Sequence, residues 1–378
     1  MLLRAVALVV RDADPSLGIP DVQVTPTKTP EHGDFASNVA LVLAGSLGRS
    51  PREIATLIVE ALDDPEGLLD RVEIAGPGFV NFYLARTQWH EVLARVLREG
   101  PLYGTSDSGA GEKTLVEFVS ANPTGPLTIG HGRNAVLGDC VVRLLEATGS
   151  KVTREYYFNN GGRQMRVLAA SLRARYLQAL GEQAELPDDG YRGAYLEEIG
   201  RELAERHGRD LREADDRAFK TAAEEAIFAG IRCSLEALGV VFDVYYNEES
   251  LYSEGLVARA LEDLRGAGWV YEEDGAVWLR SSDLGQERDR VLVRSSGEPT
   301  YLLPDIAYHR EKFRRGFQRI IDVLGADHLE QFPYVRVAAG CLGLADDRIE
   351  AVQYQWVNLR KGGEVVKMST RSASFVTV

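Results

Sequence analysis

The side chains best suited to chemistry lie in one stretch, Thr114 to Gly138, which reads TLVEFVSANPTGPLTIGHGRNAVLG. His131 falls in the first turn of a helix expected from Ile129 onward, with apolar spacing through Val136, Leu137, Val141, Leu144 and Leu145. An imidazole there could donate to a phosphoryl oxygen that gathers charge. The unpaired amides and the dipole of a helix N-terminus favour the same anion. The elements that must hold this side chain can be read on either side of it. Thr114 to Val119 is a short apolar, β-branched run with one carboxylate, Glu117, and reads as a buried strand. Ala121 to Gly125 continues neither strand nor helix, because Pro and Gly break both. Strand, loop and helix start make either an anion site or an ordinary βα turn whose histidine caps something, and spacing alone leaves both open.

A second group of polar residues shares a similar spacing logic. Glu117 and Asn122 are five residues apart across the strand-to-loop corner, and Tyr301 and Asp305 are one helical turn apart near Pro304. Glu117 could equally be a strand-edge ion pair, and Asp305 could simply complement a positive helix N-terminus.

The run ANPTGPLTIGH (Ala121, Asn122, Pro123, Thr124, Gly125, Pro126, Leu127, Thr128, Ile129, Gly130, His131) resembles the HIGH region of class I aminoacyl-tRNA synthetases. Lys367 to Arg371 (KMSTR), at the far end of the chain, resembles their KMSKS loop. Together with GDFASNVAL (Gly33 to Leu41) and PGFVNFYL (Pro77 to Leu84), the whole chain resembles arginyl-tRNA synthetases. Two positions depart from the pattern. Thr128 stands where the first His of HIGH would be, and Thr370, followed by Arg371, replaces the second Lys of KMSKS.

The resemblance implies ligation of arginine to tRNA(Arg) through an arginyl-adenylate made from ATP. Carboxylates aimed at a guanidinium match its planar fork. Asp305 is thereby implied to pair with the guanidinium and Tyr301 to pack near it, while Glu117 and Asn122, with Ser120 beside them, fix the α-amino and carboxylate end. His131, with amides near Gly130 and Gly132, is implied at the α-phosphate. Thr128 could still donate a hydroxyl hydrogen bond there, but it cannot carry charge. Lys367 and Arg371 would reach the pyrophosphate, with Met368 and Ser369 between them also implied in ATP binding. Asp327 and His328, in the loop Gly325 to His328 after a strand, become candidates for the adenosine or arginine side, because open α/β sheets bind ligands at such strand ends. Mg²⁺ is expected to arrive with ATP, and no protein metal site is expected.

The implied architecture is α/β: a Rossmann-like class I catalytic domain carrying an insertion, preceded by a small α+β domain. Its expected division is 1–105 for the N-terminal module, 106–170 for the first catalytic half, 171–298 for the insertion and 299–378 for the second half. In the first module, Val22 to Lys28 alternates as an edge strand would, and Ser50-Pro51-Arg52-Glu53 opens a helix with a capping box. Val72 to Leu84 reads as two strands around Gly-Pro-Gly. By resemblance this module grips the tRNA elbow, with Phe79 and Asn81 on a flipped D-loop base. Read as residues alone, Phe79 could equally be core and Asn81 a strand-end cap. Gly181 to Asp216 reads as charged surface with short helical periods, and Val241 to Glu298 as mostly strand, with hairpins at Glu272 to Gly275 and Ser295 to Glu298.

Composition bounds these readings. An apolar content of 45% and a charged content of 26% fit a soluble globular protein, and no run reaches membrane-spanning length. Cys140, Cys233 and Cys341 are isolated, which indicates neither a disulfide framework nor a zinc site and favours the cytoplasm. A net charge of −14 argues against adhesion to nucleic acid through a basic body, though not against a shaped RNA surface. A monomer is expected. Two other readings remain, a non-catalytic tRNA-binding relative and a nucleotidyl transferase of the same fold acting on another acid. Family members continue into a helical domain that reads the anticodon, and none follows the Gly362 to Arg371 loop. The chain, whether truncated or natively short, is therefore expected to bind arginine and ATP but to charge tRNA poorly.

Overall fold

The computed structural model describes residues 1–328, 330–355, 357–361, 364–366 and 376–378. They form two compact units, Met1–Gly104 and Thr105–Val378.

In the first unit, helices α1 (Leu2–Ala13), α2 (Val39–Leu47) and α3 (Pro51–Glu60) accompany four antiparallel strands, β1 (Thr25–Pro26), β2 (Phe35–Ser37), β3 (Leu69–Ala75) and β4 (Phe79–Leu84). The strand order is β1-β2-β4-β3. Strand alternation sends Val80 and Phe82 inward to meet Val6, Ile54 and Ile58, and leaves Phe79 and Asn81 on the opposite face. The edge strand shrinks to two residues, ending at a proline that has no N–H for the ladder. The capping box forms as expected. The Ser50 N–H donates to Glu53 Oε2 (3.0 Å) and the Glu53 N–H to Ser50 Oγ (3.3 Å). Helix α4 (Arg86–Glu99) closes the unit with no buried residue.

The second unit is built on five parallel strands: β5 (Lys113–Glu117), β6 (Lys151–Phe158), β7 (Val244–Asn247), β11 (Arg319–Gly325) and β12 (Ile349–Tyr354), in the order β12-β11-β5-β6-β7. Helices α5 (Ile129–Ala147), α6 (Gly162–Ala179), α7 (Ala194–His207) and α8 (Asp216–Ala237) follow β5 and β6. Two helices, α9 (Glu249–Ser253) and α10 (Leu256–Gly266), precede a separate antiparallel sheet of β8 (Val270–Glu273), β9 (Ala276–Leu279) and β10 (Arg290–Val293). Helix α11 (Leu302–Arg314) leads into β11, α12 (Phe332–Cys341) lies between β11 and β12, and β13 (Leu359–Lys361) pairs with β14 (Glu364–Val366).

Three expectations change. Gly181 to Asp216 is not all surface, because α7 buries Leu196, Gly200 and Leu203 in the main core beneath its charged exterior. Val241 to Glu298 is not mostly strand. Val244–Asn247 joins the parallel sheet, and α10 buries Leu256, Val257, Ala260 and Leu264 at helical spacing. The second hairpin does not form a paired strand. The chain after β10 returns as a single bridge, Val293 to Pro299, before Leu302 and Leu303 enter α11.

Helix α5 rides close on the strand it follows. At Gly138 an added Cβ would stand 2.3 Å from Phe118 Cγ, nearer than any side chain tolerates. Gly138→Ala is expected to lower stability by about 1–3 kcal/mol through this overpacking. Calorimetric unfolding checks it, and an unchanged midpoint would mean that helix and strand part at no cost.

Candidate active site

The loop after β5 begins with two strained residues. Val119 (φ 65°) and Ser120 (φ 46°) both take left-handed conformations, each costing about 1–3 kcal/mol outside glycine. Buried polar groups enforce the turn. The Val119 N–H donates to Asn134 Oδ1 (2.7 Å), and Asn134 Nδ2 donates to the Val323 carbonyl of β11 (3.0 Å). Ser120 Oγ donates to Glu117 Oε1 (2.9 Å) and accepts from the Tyr157 N–H (3.2 Å). Two tyrosines hold the rest of the loop, Tyr156 donating to the Ala121 carbonyl (2.8 Å) and Tyr195 to that of Thr124 (2.7 Å). Exposed Asn122 accepts the Asn159 N–H through its Oδ1 (2.9 Å).

His131 serves both readings of its position. Its Nδ1 accepts the Thr128 N–H (3.1 Å), as a capping residue would. A nitrogen that accepts a main-chain N–H carries no proton, so the neutral ring keeps its proton on Nε2 as a donor. Burial lowers the imidazole pKa and favours that neutral form. Thr128 Oγ1 lies 3.4 Å from Nδ1. The described chain resumes at Val376, whose carbonyl accepts the Ile129 N–H (3.0 Å), while the Val378 N–H donates to Leu127 (3.0 Å).

Helix α11 supplies a polar stripe at positions 305, 308, 309 and 312, facing the ends of β5, β6 and β11. Lys312 is completely buried, and its Nζ donates to Glu117 Oε2 (2.6 Å) and Asp322 Oδ1 (2.8 Å). His309 Nε2 lies 2.8 Å from Asp322 Oδ2. Tyr308 donates to Glu155, which Arg315 also grips bidentately (2.5 and 2.7 Å). Burial opposes the charge on Lys312, yet Asp322, Glu117 and Glu155 outweigh it and raise the ammonium above its ordinary value. Burial also works against Asp322, but Lys312 and His309 overcome it and hold that carboxyl far below the usual range. Glu117 goes the other way: burial, aided by Asp322, lifts it despite Lys312. One ammonium shared by two carboxylates favours the one that also has a histidine.

Asp305 is half-buried and has no Lys or Arg partner among the described residues; the Gln331 side chain donates to it. Burial, with Glu117 and Glu248 adding to it, pushes its carboxyl up to about 7. Glu248, which accepts from Tyr157 Oη (2.9 Å), is likewise raised by burial. Three acids thus converge where their charges oppose one another.

The predicted residues divide accordingly. Glu117, Ser120 and Asp305 are brought to the same strand ends. Tyr301 stands at the N-cap position of α11 and is 76% exposed. Asp327 and His328 follow β11 in a short 3₁₀ turn, with His328 exposed; the Asp327 side chain is outside the described set. Lys367, Met368, Ser369 and Arg371 also lie outside the described residues. In the first unit Phe79 is 41% exposed and lines a cleft of about 140 Å³ with Gln23, Thr25 and Ser37, so it is not core. Asn81 sits mid-strand on the same face, 4% exposed, and is neither a cap nor part of that lining. Lys312, Asp322, Gln331 and Glu248 were missed. The only signal for Lys312 was its spacing from Asp305, Tyr308 and His309. Among the described residues no cluster of His, Cys, Asp or Glu could hold a metal ion, and no helix is long and apolar enough to cross a membrane.

Two family models match this chain. An arginyl tRNA synthetase N terminal domain covers residues 2–84, and a tRNA synthetases class I (R) catalytic domain covers residues 92–378. The chain is 52% identical to an arginine–tRNA ligase of Desulfotalea psychrophila, over 92% of this chain and 64% of that protein. It is 49% identical to the arginine–tRNA ligase of Salinibacter ruber, over 95% and 67%. It therefore spans about two thirds of the length of these relatives. The Thermus thermophilus arginyl-tRNA synthetase structure shares the fold, with a TM-score of 0.65 at 21% identity over 94% of this chain and 65% of that one.

A carboxyl held up to about 7 makes stability depend on pH. The folded state binds its proton more tightly than the unfolded chain does. The contribution is therefore full below the ordinary 3.8 and is lost as pH rises toward about 7. Asp305→Asn should leave stability unchanged near pH 4 and raise it at pH 8, with a ceiling of about 4 kcal/mol. Denaturant unfolding at the two pH values checks this, and equal loss at both would contradict it.

Proposed function

This chain belongs to the arginyl family of class I tRNA synthetases, and from that premise we propose that it joins arginine to tRNA(Arg) at the expense of ATP. The observation that carries the reading is the acid cluster at the strand ends: Asp305, with no Lys or Arg partner among the described residues and raised to about 7, beside Glu117 and Glu248. Such an arrangement is costly until a cation enters it. A guanidinium, planar and always charged, suits it better than any neutral side chain.

In this proposal an oxygen of the arginine carboxylate attacks the α-phosphorus of ATP and the bond to pyrophosphate breaks. A ribose hydroxyl at the tRNA 3′ end then attacks the arginyl carbonyl, and AMP leaves. His131 donates its Nε2 proton in a hydrogen bond to the α-phosphate, supported by amides of the first turn of α5, and stays neutral throughout. Glu117, with Ser120 and Asn122, holds the α-amino and carboxylate end. Lys367 and Arg371, with Met368 and Ser369 between them, are assigned to the pyrophosphate, and Asp327 and His328 to the adenosine side. Magnesium enters on the phosphates, since it binds through them more readily than in a protein cage. The division into catalytic halves at 106–170 and 299–378 around an insertion at 171–298 belongs to the same proposal. The first unit contributes the tRNA elbow site through Phe79, whose exposed ring offers a stacking face for an unpaired base.

Two measurements test the two halves of this reading. Asp305→Asn is expected to lose arginine binding by calorimetry while ATP binding survives, and unchanged arginine affinity would remove the pocket assignment. Phe79→Ala in the whole chain is expected to weaken tRNA binding by about 1–3 kcal/mol in filter binding or anisotropy. Unaltered binding would remove the proposed RNA role of the first unit.

A further inference from the structure

Lys312 takes part in none of the chemistry described, yet its buried ammonium sits 2.6 Å from one oxygen of Glu117, the carboxylate assigned to the arginine α-amino group. The other Glu117 oxygen is taken by Ser120. We propose that Lys312 is a positioning residue for arginine binding: its ammonium, shared between Glu117 and Asp322, keeps Glu117 ionised and aimed so that the substrate's α-ammonium meets a negative charge. This rests on the reading of the strand ends as an arginine pocket.

The surroundings of Glu117 explain why one lysine decides its charge. From α11 it faces Asp305, Tyr308, His309 and Lys312; from β11, Asp322; from β6, Tyr157; and from its own loop, the Ser120 hydroxyl. Lys312 alone in this set is a permanent cation. Without it Asp322 retains a direct contact with His309 at 2.8 Å, whereas the one hydrogen-bond partner left to Glu117 among the described residues is the neutral Ser120 hydroxyl. The acid that takes up the proton is then Glu117, because a buried carboxylate without a partner cation neutralises itself. A protonated Glu117 offers the ammonium no charge, and binding must first expel the proton.

The test is the pH dependence of arginine affinity between pH 6 and 8, where the substrate's α-ammonium stays charged, by calorimetry on the whole chain. Asp305 already makes the native chain bind more tightly as pH rises, and the native slope of log affinity against pH is the reference. Lys312→Met is expected to weaken binding at least tenfold at pH 7 and to steepen that slope by about one, with affinity recovering toward pH 8. Adding Glu117→Gln to Lys312→Met should return the slope to the native value. Lys312→Met/Asp322→Asn, which removes one acid with the cation, should recover part of the pH 7 affinity. A lysine that only supports the fold would weaken binding equally at every pH, and that result overturns the proposal. If Lys312→Met does not fold, the infrared difference between the native chain and Glu117→Gln at pH 7 decides. An ionised-carboxylate band for Glu117 is expected, and a protonated-carboxyl band would overturn the assignment. Asp305→Asn in the same titrations separates the two readings. Intact arginine binding in that variant would sink the pocket itself. Lost binding there, with a native slope in Lys312→Met, sinks only the role of Lys312.

Discussion

One ammonium set between two carboxylates ties the second unit together at its functional end. Lys312 reaches from α11 to Glu117 on β5 and Asp322 on β11, two neighbouring strands of the parallel sheet. Tyr308 and Arg315 extend the linkage to Glu155 on β6, the next strand over. Lys312, Asp322, Tyr308 and Glu155 are buried, and truncating one partner of such a buried network leaves an uncompensated charge that typically costs about 3–5 kcal/mol. Helix α11 is therefore held against the sheet by directional contacts that allow one depth and one rotation. Asp305, one turn from the helix start, inherits its place from them.

Among the described residues the same arrangement leaves the strand ends short of positive charge. Lys312 is spent on two acids, and Arg315 on Glu155, so Asp305 and Glu248 face the strand ends with hydrogen bonds but no cation among the described residues. Strain is held in the same corner, in the left-handed Val119 and Ser120 that bring the loop back over Glu117. A protein that needed only to be stable would do better without either feature. Both become intelligible if a cationic substrate completes the charge balance, and if the turn at Ser120 is what sets the distance between Glu117 and the loop before α5.

The extent to which the sequence revealed this varies by residue. The strand, loop and helix around His131 could be read because Pro and Gly interrupt two clear apolar periods, and the capping box at Ser50 because its chemistry is local. Helix α7 was hidden, since its three buried residues sit among charges that resemble a solvated face. Helix α10 had a readable apolar stripe that the neighbouring hairpin signals obscured. The α11 stripe was the hardest case. Asp305, Tyr308, His309 and Lys312 share helical spacing, but polar residues at that spacing normally face water, and only the partners on β5, β6 and β11, remote in sequence, turn the stripe inward. Glu248, just past the end of β7, carried no local signal at all, because its meaning comes from Tyr157 on the adjacent strand. Neither did the dual part of His131, whose capping bond and donor nitrogen are one geometric fact.

The most direct test of this account is the number of protons released when arginine binds. Titration calorimetry at pH 7 in buffers of different ionisation enthalpy measures it without any substitution. With Asp305 raised to about 7 in the free chain, part of the molecules carry its proton at that pH, and pairing with a guanidinium must expel it. The account predicts net release of a fraction of a proton per arginine at pH 7, falling toward zero by pH 8. Binding with no proton released at pH 7 would contradict it, because the carboxylates at the strand ends would then not be where the cationic substrate sits.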